Sequence, residues 1–318
     1  AYLVSWAREC VYETVPEARL REHGLTLRQI EQILRREKLE IPGGRVKTQS
    51  DHILLRGRNK RVTGEEIAKI PLVTRPDGVV LTVGDLGVVL DELNAHLRPH
   101  GVRFAPDIST ASRATIGGMM ANNSSGTRSV LYGKTIDHVL RQEVVLSDGS
   151  IADFGPLTPA DLEAASTGSS LAAECYRVVR DIASTHAEEI DRRFPKVVRR
   201  VGGYSLDEFV RPGQPFDMTK LMVGSEGTLG VVLNAKLKLV PLPKAKAVMA
   251  IQFADLLEAL AATPVILQHG PSAIEVMDAF ILSHTRQSAE LDALRRGFID
   301  GEPGALLCVE FYADREED

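Results

Sequence analysis

Residues 115–149 read TIGGMMANNSSGTRSVLYGKTIDHVLRQEVVLSDG, and they hold the densest group of side chains suited to binding chemistry. Gly117, Gly118, Gly126 and Gly133 are interleaved with Asn122, Asn123, Ser124 and Ser125. Glycine lacks a Cβ and reaches positive φ, so main-chain N–H groups can converge on one acceptor. Asn and Ser add short hydrogen-bonding groups. This combination suits close main-chain approach to a flat, charged ligand. A second stretch, GSEGTLG at residues 224–230, feeds the apolar run Val231-Val232-Leu233. One such loop reads more simply as a tight turn. Two, each with hydroxyls and a following strand, favour a binding site.

The elements that must carry these stretches follow from periodicity. A short strand is expected at residues 88–90. A helix follows over 91–100, with Leu93 and Leu97 on one face and Gly101 as its stop. Residues 144–146 form a strand closed by the turn pair Asp148-Gly149, and 150–168 read as a polar linker. Residues 170–192 read as one long helix with the apolar stripe Leu171, Cys175, Val178, Val179 and Ile182. A strand over 231–239 ends at Pro241. Beyond it, strand, helix, strand, helix and strand are expected at 248–253, 255–269, 273–277, 280–298 and 305–312.

Length and composition exclude several classes. A chain of 318 residues with 44% hydrophobic and 25% charged residues is ordinary globular sequence of about two domains. A net charge of −5 gives no reason to expect nucleic acid or an anionic surface as partner. Cys10, Cys175 and Cys308 form no CxxC pair. No metal or cluster site is therefore expected, and a reducing compartment is. No apolar run approaches the ~18 residues of a membrane span. The first residue is Ala1 rather than Met, and the last five are Asp-Arg-Glu-Glu-Asp, so a piece of a longer chain is expected.

The stretches GGMMANNSSG, YGKTIDHVLRQEVVLSDG and GSEGTLGVV, with Pro106-Asp107 ahead of them, resemble the FAD-linked oxidases. These are the PCMH-type or vanillyl-alcohol oxidase flavoproteins, among them D-lactate, glycolate and D-2-hydroxyglutarate dehydrogenases. The resemblance covers about residues 88–318. It implies an α+β fold: the second half of a PCMH-type FAD-binding domain at 89–241, then the start of a ferredoxin-like cap at 242–318. It also implies a flavin held by Pro106, Asp107, Thr115, Gly117, Gly118, Asn122, Asn123, Gly126, Tyr132, Gly133, Asp137, Val144, Glu226, Gly227 and Thr228. In this resemblance Val144 offers main chain to the adenosine half. Asp107 reads equally as a turn former, Tyr132 as a core aromatic and Asp137 as a cap. Arg199, Arg200 and Tyr204, in RRVGGYSLDEF, fall at the substrate side of the ring. The arginines either pair a substrate carboxylate or form a solvated basic pair.

The implied activity is hydride transfer from a small hydroxy acid to FAD, with an unspecified electron acceptor and a cytoplasmic or membrane-peripheral setting. The long relatives carry an iron–sulfur module after the flavin part, which this chain is not expected to hold. No catalytic base is assigned, and His269 and His284 read as surface residues.

Residues 1–88 differ. Thr26 suits a cap for a helix with Leu27, Ile30, Ile33 and Leu34 on one face, and Pro42-Gly43-Gly44 suits a stop. A helix at 64–70 and strands at 45–48, 52–56, 72–74 and 79–83 complete a small α+β module. Its wording resembles the porter domain of resistance–nodulation–division efflux pumps. Residues 1–88 hold 15 basic and 12 acidic residues against 23 and 31 beyond, a shift that agrees with a seam. A fusion joined near residues 87–91 is expected, with few contacts across it. The first half of a flavin domain supplies a glycine-rich pyrophosphate loop that residues 1–88 lack, so FAD binding that is weak or absent, and an inactive chain, are expected. The competing readings are a non-catalytic porter fragment and a fusion with no activity.

Overall fold

The computed structural model describes residues 4–5, 9–13, 25–26, 29, 41–47, 52–57, 71–74, 80–82 and 87–315. In the first quarter, β1 (Val4–Ser5) pairs with β2 (Glu9–Glu13), β3 (Ile41–Lys47) with β4 (His52–Gly57), and β5 (Pro71–Thr74) with β6 (Val80–Thr82). Pro42-Gly43-Gly44, expected to stop a helix, lies inside β3 at a register shift between Pro42 and Arg45. Thr26 does act as a cap: Gln29 N donates to its Oγ1 at 3.3 Å, and Gln29 Oε1 accepts from Thr26 N at 2.8 Å. The helix expected at 64–70 lies outside the described residues.

Helix α1 (Leu90–Leu97) forms because Leu90, Leu93 and Leu97 recur on one face and are all buried. It starts at Leu90, so the strand expected at 88–90 shrinks to a single bridge between Val89 and Thr115. Gly101, at φ 70°, turns the chain into β7 (Val102–Phe104). Helix α2 (Ile116–Asn122) and helix α3 (Ser129–Tyr132) precede β8 (Val139–Val145).

The segment expected as a polar linker is ordered instead. It contains β9 (Ile151–Phe154), β10 (Pro156–Leu157) and α4 (Pro159–Ala165). Ala152 and Phe154 alternate inward on β9, and Thr158 caps α4 with Pro159 behind it. The single long helix expected after it is two, α5 (Leu171–Thr185) and α6 (Ala187–Arg193), separated at His186. A short strand β11 (Phe216–Asp217) and helix α7 (Thr219–Met222) lead to β12 (Val231–Pro241).

Strand β12 is the spine. It pairs antiparallel with β8, with β7 near its end, and with β2 along five residue pairs from Asn234–Glu13 to Lys238–Glu9. The last ladder joins the first quarter to the flavin-like part, where the sequence predicts few contacts. Leu233, Ala235, Leu237 and Leu239 alternate inward along β12. Ala235, Leu237 and Leu239 meet Leu90, Leu93, Leu97, Phe104, Ile116, Met119 and Met120 in one core. A second core gathers Val144, Leu146, Phe154, Tyr176, Val179, Leu221 and Met222.

The cap is a separate three-stranded sheet of β13 (Ala245–Phe253), β14 (Ala273–Asp278) and β15 (Ala305–Ala313). Strand β15 lies in the middle, antiparallel to both neighbours, so β13 and β14 run the same way. That is the split β-α-β order expected of a ferredoxin-like cap. Helix α8 (Leu256–Leu267) covers the sheet through Ala259, which packs on Ala305, Leu307 and Val309. Pro264 sits within α8. Helices α9 (Ala279–His284) and α10 (Ala289–Arg295) fill the link to β15.

Candidate functional site: two glycine-rich turns on one helix end

The two glycine-rich stretches, a hundred residues apart in sequence, dock on each other. Gly224 N donates to Met120 O at 2.9 Å, and Glu226 N donates to Ala121 O at 2.9 Å. These carbonyls lie in the last turn of α2, where a helix leaves acceptors without intrahelical partners. The second stretch therefore finishes the first. Glu226 at φ 52° and Gly227 at φ 73° form its tip, and Glu226 and Thr228 are exposed. Gly117 and Gly118 belong to the first turn of α2 rather than to an open loop, and Thr115 caps that turn by accepting from Gly118 N at 3.1 Å.

The paired asparagines divide their labour. Asn123 is 1% exposed and left-handed at φ 52°, and its Oδ1 accepts from Ile136 N at 3.0 Å. It is the C-cap of α2 and a tie to the next segment. Asn122 is exposed, with Nδ2 donating to Ser124 Oγ at 3.2 Å, and is the one that faces outward.

Gly126 is fixed by sterics. A Cβ built on it would lie 1.5 Å from Asp107 O, so only glycine lets these two main-chain segments meet. Asp107 secures the contact from its own side: Oδ1 accepts from Arg128 N at 3.3 Å, and Oδ2 from Thr127 Oγ1 at 3.1 Å. Pro106 beside it is buried. Gly133, at φ 76°, leaves room for Asp137, whose Oδ2 accepts from Lys134 N at 2.8 Å.

The RRVGGY segment closes on the same face. Arg199, exposed, donates through Nη2 to Gly126 O, and the Tyr204 hydroxyl lies 2.8 Å from Thr228 Oγ1. Arg200 is committed elsewhere. Its side chain is 9% exposed and paired with Asp207, and Lys134 Nζ donates to its carbonyl at 3.1 Å. Burial pushes the Lys134 amine down and the Glu208 carboxyl up from their ordinary values. Of the expected pair, Arg199 is the one a ligand can reach.

Two expected contacts fall away from this face. Val144 is fully buried, flanked by Val232 on β12 and Ala152 on β9, so it has no open edge for a base. Tyr132 turns to the cap, its ring 6.4 Å from that of Tyr312. Sequence reasoning missed what lies beside it. Arg128, two residues past Gly126, grips Asp107 with one nitrogen and Glu310 of the cap with two more. The only signal was an arginine directly after the glycine turn.

Residues 57–155 match the family model described as "FAD binding domain", and residues 242–318 match "FAD linked oxidases, C-terminal domain". The chain belongs to the FAD-linked oxidases. The first match begins upstream of the expected seam, so the flavin and porter-like readings overlap over residues 57–88. A D-2-hydroxyglutarate dehydrogenase of Pseudomonas putida is 39% identical over 62% of the chain, and one of Pantoea ananatis is 36% identical over 72%. A D-lactate dehydrogenase of Anaerostipes hadrus is 27% identical over 73%. The chain spans 20% and 23% of the two D-2-hydroxyglutarate dehydrogenases and 38% of the D-lactate dehydrogenase. A solved alkyldihydroxyacetonephosphate synthase aligns over 71% of the chain and 34% of its own, at 18% identity and TM-score 0.43.

FAD is the cofactor of this FAD-linked oxidase sequence. The face described above fits it: glycine main chain at the Glu226–Gly227 tip, the hydroxyls of Thr115 and Thr228, and the outward amide of Asn122. Among the described residues no group of three or more His, Cys, Asp or Glu is placed to hold a metal ion, and no helix is long and apolar enough to cross a membrane.

Proposed function

We propose that the chain is the glycine-turn and cap portion of an FAD-dependent dehydrogenase acting on a small D-2-hydroxy acid. The observation that carries this reading is the docking of residues 224–230 on the end of α2 through Gly224 N and Glu226 N. Bound FAD supplies the hydride acceptor for the substrate's α-carbon, while a base takes the hydroxyl proton.

The chain's own part is binding and orientation. Thr115, Gly117, Gly118, Asn122, Gly126, Glu226, Gly227 and Thr228 form the cofactor face. Asp107 braces Gly126 from behind, with Pro106 buried beside it, while Gly133 and Asp137 shape the following turn. Tyr204 fixes Thr228. Arg199 offers a guanidinium to a substrate carboxylate, the group shared by the hydroxy acids in the relatives' names. The reading sets the protein in the cytoplasm or at the periphery of a membrane, with an electron acceptor of unspecified class.

The second reading, an inactive fusion with a porter-like first quarter, rests on the wording of residues 1–88. Purified chain tested for a flavin absorption band, then titrated with FAD, separates the two. Saturable binding supports the dehydrogenase reading, and its absence supports the inactive fusion.

A further inference from the structure

We propose that Arg128 is a positioning residue: held by Glu310 of the cap, it keeps the Asp107–Gly126 contact closed, so that cap placement governs the shape of the flavin turn. In its flavin consequence the inference rests on the reading above. In its mechanics it does not.

The geometry is a fork shared between two carboxylates. Arg128 Nε and Nη2 donate to Glu310 Oε1 and Oε2 at 2.7 and 2.8 Å, a bidentate pair across 182 residues of sequence. Its third nitrogen, Nη1, donates to Asp107 Oδ2 at 2.6 Å. Bidentate arginine–carboxylate bonds fix direction as well as distance. Here that direction runs from the middle strand of the cap to the turn that Gly126 and Asp107 share.

Glu310 is itself oriented. Ser272 Oγ donates to Oε1 at 2.9 Å, and Ser272 N donates to the Glu310 carbonyl at 2.7 Å. Lys246 Nζ stands 3.9 Å from Oε2. The side chains of Glu310 and Arg128 are 10% and 23% exposed, so water competes little with the pair. Arg103 lies over the rings of Tyr132 and Tyr312, at 5.4 and 6.0 Å, and Arg128 lies 5.9 Å from the Tyr312 ring centre. The flavin part and the cap thus meet here through charge and aromatic faces. A polar seam of this kind can open when its key pair is lost.

On the flavin side the same residue is tied through main chain. Arg128 N donates to Asp107 Oδ1, Gly126 N donates to Ser129 Oγ at 3.0 Å, and Tyr132 N donates to Arg128 O at 2.9 Å. Without Glu310, the guanidinium loses two of its three bonds, and only Asp107 still holds it.

The test is main-chain hydrogen exchange on the full chain without ligand, wild type against Glu310→Gln. The expected result is exchange about tenfold faster in peptides covering residues 125–131, with β12 still protected. Asp107→Asn, which breaks the other arm, should loosen the same peptides, and Glu310→Asp, which keeps the charge, should restore part of the protection. If Glu310→Gln unfolds the cap, Asp107→Asn carries the test alone. Unchanged exchange at 125–131 in the folded variants overturns the inference. A parallel arm adds FAD to the wild type: protection of 125–131 supports the flavin consequence. No protection counts against the flavin reading and leaves the mechanical coupling to the exchange result.

Discussion

At the scale of single residues, the sequence marks the glycines but not their reasons. Gly118 and Gly126 look alike in the string, yet of the two only Gly126 has a main-chain oxygen where its Cβ would be. Gly126→Ala must push Asp107 away, and should lower unfolding stability by about 2–4 kcal/mol in denaturant titration. Gly118, whose Cβ would sit 3.1 Å from the Thr115 hydroxyl, should tolerate Ala at much smaller cost. Arg128 was illegible for a different reason: its partner lies in the cap, and no local pattern joins residues that far apart. Burial would push the Glu310 carboxyl up, but hydrogen bonds from Arg128 and Ser272 prevail and draw it from 4.5 down to about 2. Between those values the unfolded chain binds the extra proton and the folded chain does not. The stability Glu310 contributes is therefore full above about pH 4.5 and lost as pH falls toward 2. Thermal melts of wild type and Glu310→Gln should converge across that window; a gap that stays constant would contradict it.

At the scale of elements, helices with clear stripes and stops were legible, and boundaries set by tertiary contacts were not. Helix α1 could be read from Leu93, Leu97 and Gly101. The segment at 150–168 could not, because Ala152 and Phe154 give only a brief alternation, and the turn residues around them outweigh it. The break at His186 was hidden because Ile182 and Ile190 continue the apolar stripe across it. The docking of residues 224–230 on α2 needed the fold, since it runs through main-chain bonds that any side chains would allow. Asn123 is where the two meet: it caps α2 in a left-handed conformation and accepts from Ile136 N inside the core. Asn123→Ala leaves that amide without its acceptor and strains the cap, at a cost of about 2 kcal/mol. Asn122→Ala, on the exposed side, should change stability little while weakening any ligand bound there. Equal losses from the two changes, measured by chemical denaturation, would show that the pair does not divide as described.

At the scale of the whole molecule, a sheet with β12 as its spine, the paired glycine turns and a three-stranded cap are joined by the Arg128–Glu310 fork. The order of flavin part and cap was legible because each carries its own wording, and both family matches agree with it. The relation of the first quarter to the rest was not, because a ladder such as β2 on β12 uses main chain alone and leaves no mark in composition. The central claim is that residues 115–126 and 224–230 together form the face that holds FAD. Each main-chain bond to a charged pyrophosphate is worth about 1.5–3 kcal/mol, so a site without a further glycine-rich loop should bind weakly. The direct measurement is an equilibrium titration followed by flavin fluorescence, wild type against Gly227→Val, which forces a branched side chain into φ 73° at the exposed tip. The account predicts saturable binding in the wild type, weaker than about 1 μM, and its loss in the variant. Identical titrations of the two proteins would contradict it.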